Sequence, residues 1–148
     1  MPKHKEKKQL PYPAAFVFEL IWDVQKYPEF LPWCLSTRIV DYINEQGDFH
    51  ADMVIGYRFF REKFRSEVTS SKPLEIDVKY IDGPFDYLQN HWKFTPISDH
   101  SCEVEFYVDF EFRSKFFQSL IQKVFTEAVH KMVLSFEKRA YDLYHKKT

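Results

Sequence analysis

The stretch CEVEFYVDFEF, Cys102–Phe112, alternates without a break. Cys102, Val104, Phe106, Val108, Phe110 and Phe112 share one side; Glu103, Glu105, Tyr107, Asp109 and Glu111 share the other. Period two held this long predicts a half-buried antiparallel strand. The period changes after Ser114. KFFQSLIQKVFTEAVHKMVLSFEKRAYDLY, Lys115–Tyr144, puts Phe117, Leu120, Ile121, Val124, Ala128, Met132, Phe136, Ala140 and Leu143 on one stripe, with no proline. A helix of ~30 residues spans ~45 Å. It must lie across something equally long and apolar.

The strand pattern extends back to Ser36. LEIDVKY repeats the alternation at Leu74, Ile76, Val78 and Tyr80. GPFDYLQNHWKF opens on a Gly-Pro turn signal and runs through Leu88, Asn90, Trp92 and Phe94. FHADMVIGYRFFREKFRSEV is long enough for two strands, with Gly56 expected at a bulge or bend. About six strands are predicted between residues 36 and 113. Residues 3–10 read as a polar strand closing with Leu10. After Pro13, Phe16, Val17, Leu20 and Ile21 share one helical face. The order is strand, helix, broken helix, about six strands, long helix, over one domain spanning residues 1–148. Segregated strands and helices indicate an α+β fold with an antiparallel sheet of about seven strands curved around the C-terminal helix.

Composition narrows the function. Net charge is −1 over 148 residues, which is not the profile of a general nucleic-acid binder. The two cysteines, Cys34 and Cys102, show no disulfide ladder, which suits a reducing compartment. No run approaches the ~20 apolar residues of a membrane span, and the basic N-terminus lacks the apolar core of a signal peptide. The unusual figure is 19% aromatic, with 16 Phe, 9 Tyr and 3 Trp. Such rings either fill a core or line a cavity for a flat or greasy ligand. Between the sheet and the long helix, about a dozen inward rings are expected to line the space.

The motifs YPEFLPWC (Tyr27–Cys34), IGY, REKF, GPF, LQNHWKF and VDFEF, followed by a long helix ending FEKRAYDLY, resemble the START-like coenzyme Q-binding family. Its bacterial branch is also described as a ribosome-association toxin, and it belongs to a polyketide cyclase/dehydrase-like superfamily. The resemblance runs in order from about Leu20 to Tyr144. It implies a helix-grip (START/Bet v 1-like) fold and a hydrophobic tunnel that holds ubiquinone. One departure is Trp22, where the family pattern has a smaller residue; a ring there is expected to narrow one end of the cavity.

In YPEFLPWC, Pro28 suits the start of a helical turn and Pro32 cannot sit inside one. The segment is expected to be one stiff turn closing the cavity mouth, or else a core plug. The candidate ligand contacts are Phe30, Leu31 and Trp33 from this turn; Met53, Glu62, Phe64, Asn90, Trp92, Phe106 and Phe110 from the sheet; and Val124, Ala128 and Met132 from the long helix. Counting by twos, Glu62 points with Phe60, Phe64 and Val68, and needs a partner that a ligand hydroxyl or a basic residue supplies. Asn90 alternates with Leu88 and Trp92, and its amide suits a quinone head group as well as an internal bond.

Catalytic signatures are missing. The six histidines form no HxxxH or HxH pair, and there is no GxSxG or phosphate-cradling glycine loop. Cys34 reads as a small buried hydrophobe rather than a nucleophile. Basic residues cluster at Lys3, Lys5, Lys7 and Lys8; at Arg58, Arg61, Lys63 and Arg65; and at Lys138, Arg139, Lys146 and Lys147. Each is a solvated face, or a patch for anionic lipid or ribosomal RNA. The expectation is a protein that binds ubiquinone or a similar isoprenoid without catalysis, needs no cofactor and no metal, and supports respiratory electron transport or quinone biosynthesis. It is expected in the cytoplasm or at the inner membrane (the matrix side in a mitochondrion). A transient membrane-surface contact is expected, and no DNA. The alternatives are a toxin-like regulator on the large ribosomal subunit and an aromatic cyclase.

Overall fold

The chain folds as β1 (Lys3–Leu10), α1 (Ala14–Trp22), a 3₁₀ helix (Val24–Glu29), β2 (Cys34–Tyr42), β3 (Phe49–Tyr57), β4 (Phe60–Ser71), β5 (Glu75–Asp82), β6 (Phe85–Ser98), β7 (Ser101–Phe112) and α2 (Lys115–Lys146). The computed structural model describes residues 3–57, 60–71 and 74–146. Of the clustered basic residues, Arg58, Lys147 and the side chain of Lys146 fall outside that description, as does the side chain of Phe60.

The strands form one antiparallel sheet in the order β1-β7-β6-β5-β4-β3-β2. Consecutive strands from β2 to β7 are neighbours, as short turns dictate. β1 returns to the far edge beside β7, from Lys3 opposite Asp109 to Leu10 opposite Cys102. Residues directly opposite share a face, so register carries the inner face across the sheet. One row joins Phe49, Val68, Val78, Asn90 and Val108 across five strands.

The alternation in 102–112 is realised as expected: Cys102, Val104, Phe106 and Phe112 are buried, while the acidic residues face outward. Gly56 departs from expectation. It sits in regular register opposite Arg61, and its N–H donates to the Trp33 carbonyl at 2.9 Å. The bulge lies on the partner strand β2, between Cys34 and Ser36. There the chain leaves the proline turn and must bend into the sheet.

α2 crosses the concave face. Ser114 caps it, its hydroxyl accepting the Phe117 N–H at 3.3 Å. Gln118 ties strand to helix, its carbonyl oxygen accepting the Phe112 N–H at 2.8 Å. Farther along, Lys8 pairs with Glu137 and Arg139 bonds Glu29 at 3.0 Å while lying 5.1 Å over the Phe30 ring. The helix is therefore held at its start by β7 and beyond its midpoint by β1 and the proline turn.

On the outer face His50 stands between Asp41 Oδ1 at 2.7 Å and Glu67 Oε1 at 3.3 Å. The hydrogen bond to Asp41 is the main cause that raises its pKa above the ordinary histidine value. A pKa raised on folding contributes stability that is complete below the unfolded value of ~6.5 and lost as pH rises through the folded value. Urea unfolding of the wild type and His50→Gln is expected to show a wild-type advantage at pH 5.5 that shrinks by pH 8.5. An advantage independent of pH would remove the charge from the account.

Candidate functional site

Between the sheet and α2 lies a cavity of about 250 Å³. Its wall is almost entirely carbon, and its shape follows from side-chain size. At one end Phe64, Phe85, Phe110 and Phe112 pack edge to face and stacked, with Phe85 and Phe112 centroids 4.5 Å apart. At the other, Trp92 meets Phe106 at 4.5 Å and Phe136 at 5.6 Å. Between these belts the wall carries short side chains: Ala51, Ser66, Val68, Val78, Val108 and Ala128. The rings do line the space, as expected, but they chiefly close its ends. The room itself comes from the short residues.

Eleven of the thirteen candidate contacts stand on this wall: Leu31, Trp33, Met53, Phe64, Asn90, Trp92, Phe106, Phe110, Val124, Ala128 and Met132. Two do not. Phe30 of the proline turn packs instead against Phe136 at 5.2 Å and under Arg139. Glu62 lies near the start of β4 and shares the inner face by register with Ile55, which lines the cavity, but Glu62 itself is not part of the wall. It is half-buried there, with no hydrogen bond or ion pair among the described residues. Trp22 also misses the wall. Its ring packs on Phe49 at 5.1 Å and on Phe18 at 5.8 Å, so it seals the base of the sheet rather than narrowing the cavity.

The proline turn is both plug and rim. Tyr27, Leu31 and Cys34 are buried. The Tyr27 hydroxyl donates to the Ile21 carbonyl, and the Leu31 N–H to the Tyr27 carbonyl at 2.9 Å. Pro28 lies inside the 3₁₀ helix rather than at its start. Pro32 is exposed, and Trp33 is half-buried with its ring on the cavity wall. Burial pushes the Cys34 thiol up to about 12, which keeps it neutral and unreactive near pH 7.

The polar groups in the wall are few. Asn90 is largely committed: its Nδ2 donates to the Tyr107 carbonyl at 3.0 Å, and its Oδ1 accepts from Trp92 Nε1 at 3.1 Å. One N–H and one lone pair remain. Thr37 donates to the Val24 carbonyl at 2.8 Å. Ser66 is different. It is 5% exposed, lines the cavity, and its hydroxyl has no hydrogen-bond partner among the described residues. Its hydroxyl therefore has its hydrogen-bonding capacity unspent within the apolar wall, so Ser66 is the wall's open polar position. Counting β4 by twos from Glu62 through Phe64 to Val68 passes over Ser66, and that alternation was the available signal for it. Among the described wall residues there is no Asp, Glu, His, Lys or Arg.

Residues 10–137 match the family described as polyketide cyclase/dehydrase and lipid transport. The ribosome association toxin RatA of Rickettsia prowazekii is 37% identical over 97% of this chain and 99% of that protein. The mitochondrial coenzyme Q-binding protein COQ10 homolog B of Xenopus laevis is 30% identical over 96% of this chain, which spans 59% of that protein. A START superfamily protein from Mycobacterium smegmatis superposes with a TM-score of 0.83 over 95% of this chain and 98% of that one, at 15% identity. That last likeness is one of fold.

Proposed function

The chain belongs to the polyketide cyclase/dehydrase and lipid transport family, and on that premise we propose that it holds ubiquinone or a similar isoprenoid lipid between sheet and helix, without catalysis or cofactor. The observation that carries this reading is the carbon-lined cavity with a single open hydroxyl. An isoprene unit has five carbons, so its burial contributes ~4 kcal/mol gross at ~0.8 kcal/mol per carbon. The relative named for coenzyme Q binding supports the ligand class. A non-catalytic role is supported by the wall, where the one tyrosine among the described residues, Tyr27, is bonded to a carbonyl and its hydroxyl pKa is pushed up by burial. General acid–base chemistry needs a group that titrates near the working pH. Carriage of such a lipid would serve respiratory electron transport or quinone synthesis from the cytoplasmic or matrix side of a membrane. Among the described residues no helix is long and apolar enough to cross one.

Organic extraction of purified protein, with mass spectrometry and titration with a short-tailed quinone, tests the assignment. Quinone or another isoprenoid is expected. Recovery of phospholipid alone, with no quinone binding on titration, refutes it.

Two substitutions separate the roles of wall and rim. Ser66→Ala is expected to weaken quinone binding roughly three- to tenfold, the range of one hydrogen bond, and to leave binding of a tail-only alkane unchanged. Equal weakening of both ligands would make Ser66 a packing residue. Trp33→Ala is expected to speed quinone release about tenfold, with a stability loss well below the ~3–5 kcal/mol of a core tryptophan. Pro32→Ala should speed release less, at under ~1 kcal/mol of stability. Stopped-flow release that is normal in Trp33→Ala, alongside severe destabilisation, would reduce the turn to a plug.

A second reading, association with the large ribosomal subunit, is supported by the similarity to the ribosome association toxin along nearly the whole of both chains. Co-sedimentation with isolated subunits at physiological salt tests it.

A further inference from the structure

The outer face of β2, β3 and β4 carries an unusual charge arrangement. Asp52 is only 5% exposed, and three cations from two neighbouring strands converge on it. Arg65 binds it as a fork, Nε at 2.7 Å and Nη2 at 3.1 Å. Lys63 lies at 3.5 Å and Arg38 at 3.7 Å. The Arg65 hydrogen bonds hold the carboxyl below the usual range, so the carboxylate stays charged and the cations stay gathered. Arg61 stands two residues before Lys63 on the same face, exposed and with no ion pair among the described residues.

The cations outnumber the acids here. Arg38, Arg61, Lys63 and Arg65 face Asp52, and Asp82 stands opposite Arg65 in the next strand. Four positive against two negative charges leave an excess of two. Glu67, two residues beyond Arg65, and Asp41, which also acts on Arg65, are engaged with His50, so the excess lies toward the Arg61 and Lys63 end of the face, while Glu62 shares the opposite face with Ile55. The far side of the same sheet carries acids along β7, at Glu103, Glu105, Asp109 and Glu111, with lysines beside them on β1 and at Lys93 of β6, opposite Glu105. A chain of net charge −1 thus concentrates positive charge at one corner.

The spacing selects among anions. Arg61, Lys63 and Arg65 alternate along one strand, so their stems rise from the sheet ~6.8 Å apart. That repeat is close to the separation of successive phosphates along a nucleic-acid strand. Arg38 stands two strands away, ~10 Å across the sheet, and offers donors to a second phosphate row. Its distant contact with Asp52 leaves most of its guanidinium N–H groups free. Lipid headgroups offer no fixed linear repeat for such a ruler to match.

We propose that this face binds the phosphodiester backbone of structured RNA, with Asp52 as the anchor that gathers and orients the cations. The proposal rests on the ribosome reading and names the surface and the chemistry that reading would use. It is separate from the cavity, which opens on the other side of the sheet.

A fluorescent RNA hairpin, followed by anisotropy, tests it. With three phosphates neutralised, raising salt from 50 to 200 mM should weaken wild-type binding roughly 20- to 40-fold. Arg38→Gln with Arg61→Gln should weaken binding about tenfold or more at low salt and lower the salt slope by about two. Neither residue forms a close hydrogen bond, and matching melting curves will show that the fold is kept; if they do not match, Arg61→Gln alone and the wild-type slope decide. The control pair Lys123→Gln with Lys131→Gln, on the exposed side of α2, should bind as wild type. No hairpin binding at 50 mM salt, or equal binding by the Arg pair, overturns the proposal. So does binding that only the control pair disturbs. Loss of binding to phosphatidylserine vesicles in the Arg pair, with no hairpin binding by the wild type, would assign the face to membranes instead. Hairpin binding through this face without ribosomal co-sedimentation keeps the surface and ends the ribosome reading. Co-sedimentation that survives the Arg pair does the reverse.

Discussion

Ala128→Trp should abolish quinone binding while leaving the protein folded. Ala128 is one of the short residues at the waist of the cavity, on the face α2 turns to the sheet. An indole there has unfilled space to enter, within a cavity of about 250 Å³. If it displaces one isoprene unit, the lost burial is ~4 kcal/mol gross, which is a hundredfold or more in affinity. Because the ring occupies existing room, the urea midpoint should move little. In a tightly packed site the same substitution would overpack and cost ~1–3 kcal/mol. A lowered midpoint with binding intact would therefore mean that ligand does not use the waist. Unchanged binding with unchanged stability would put Ala128 on the solvent side and refute the helix placement.

Gly83→Ala should be the most damaging small substitution in the chain. Gly83 opens the turn between β5 and β6 with φ +151°, a backbone region that side chains rarely adopt. A Cβ added there would stand 2.5 Å from Phe64 Cβ and 2.9 Å from Phe64 Cα. The obstruction includes backbone, so no rotamer change relieves it. The turn is also locked from outside: the Phe85 N–H donates to the Tyr80 hydroxyl at 3.1 Å, and the Arg113 N–H to the Pro84 carbonyl at 2.9 Å. Backbone strain of ~1–3 kcal/mol and overpacking of ~1–3 kcal/mol together predict a loss of roughly 2–6 kcal/mol. The melting temperature should fall by roughly 5–25 °C. Since Phe64 lines the cavity, quinone affinity should fall with it. Gly47, also at positive φ, has nothing within 4 Å of an added Cβ, so Gly47→Ala carries only the backbone strain. Equal effects at the two glycines would mean that the contact with Phe64 is not tight.

The architecture was legible because it rests on periodicity. Residues 102–112 hold period two and residues 115–144 hold a helical stripe. Each pattern buries its apolar side in only one kind of element. The proline pair in YPEFLPWC marked a turn for an equally local reason, since proline restricts its own backbone and that of the residue before it. The resemblance carried by those motifs led to the same fold.

What the chain order alone could not determine was where empty space would lie. Alternation names the residues that face inward. It does not say which of them meet across strands, so it could not show that Ala51 and Ser66 form one row and Val68, Val78 and Val108 the next, with Ala128 of α2 on the same wall and the larger rings gathered toward the two ends. That depends on register summed over five strands and on how α2 is pinned at its start and beyond its midpoint. The same limit placed Phe30 and Glu62 on the wall in expectation and off it in the structure: each lies at the end of an element, where facing inward no longer means facing the cavity. The gathering of Arg38, Lys63 and Arg65 on Asp52 is likewise a product of pairing. Three cations separated by up to 27 positions in the chain converge on one carboxylate only when β2, β3 and β4 lie side by side. Local sequence determines each element and its apolar side; cavities and charge clusters belong to the distances between elements, which only the folded sheet and helix set.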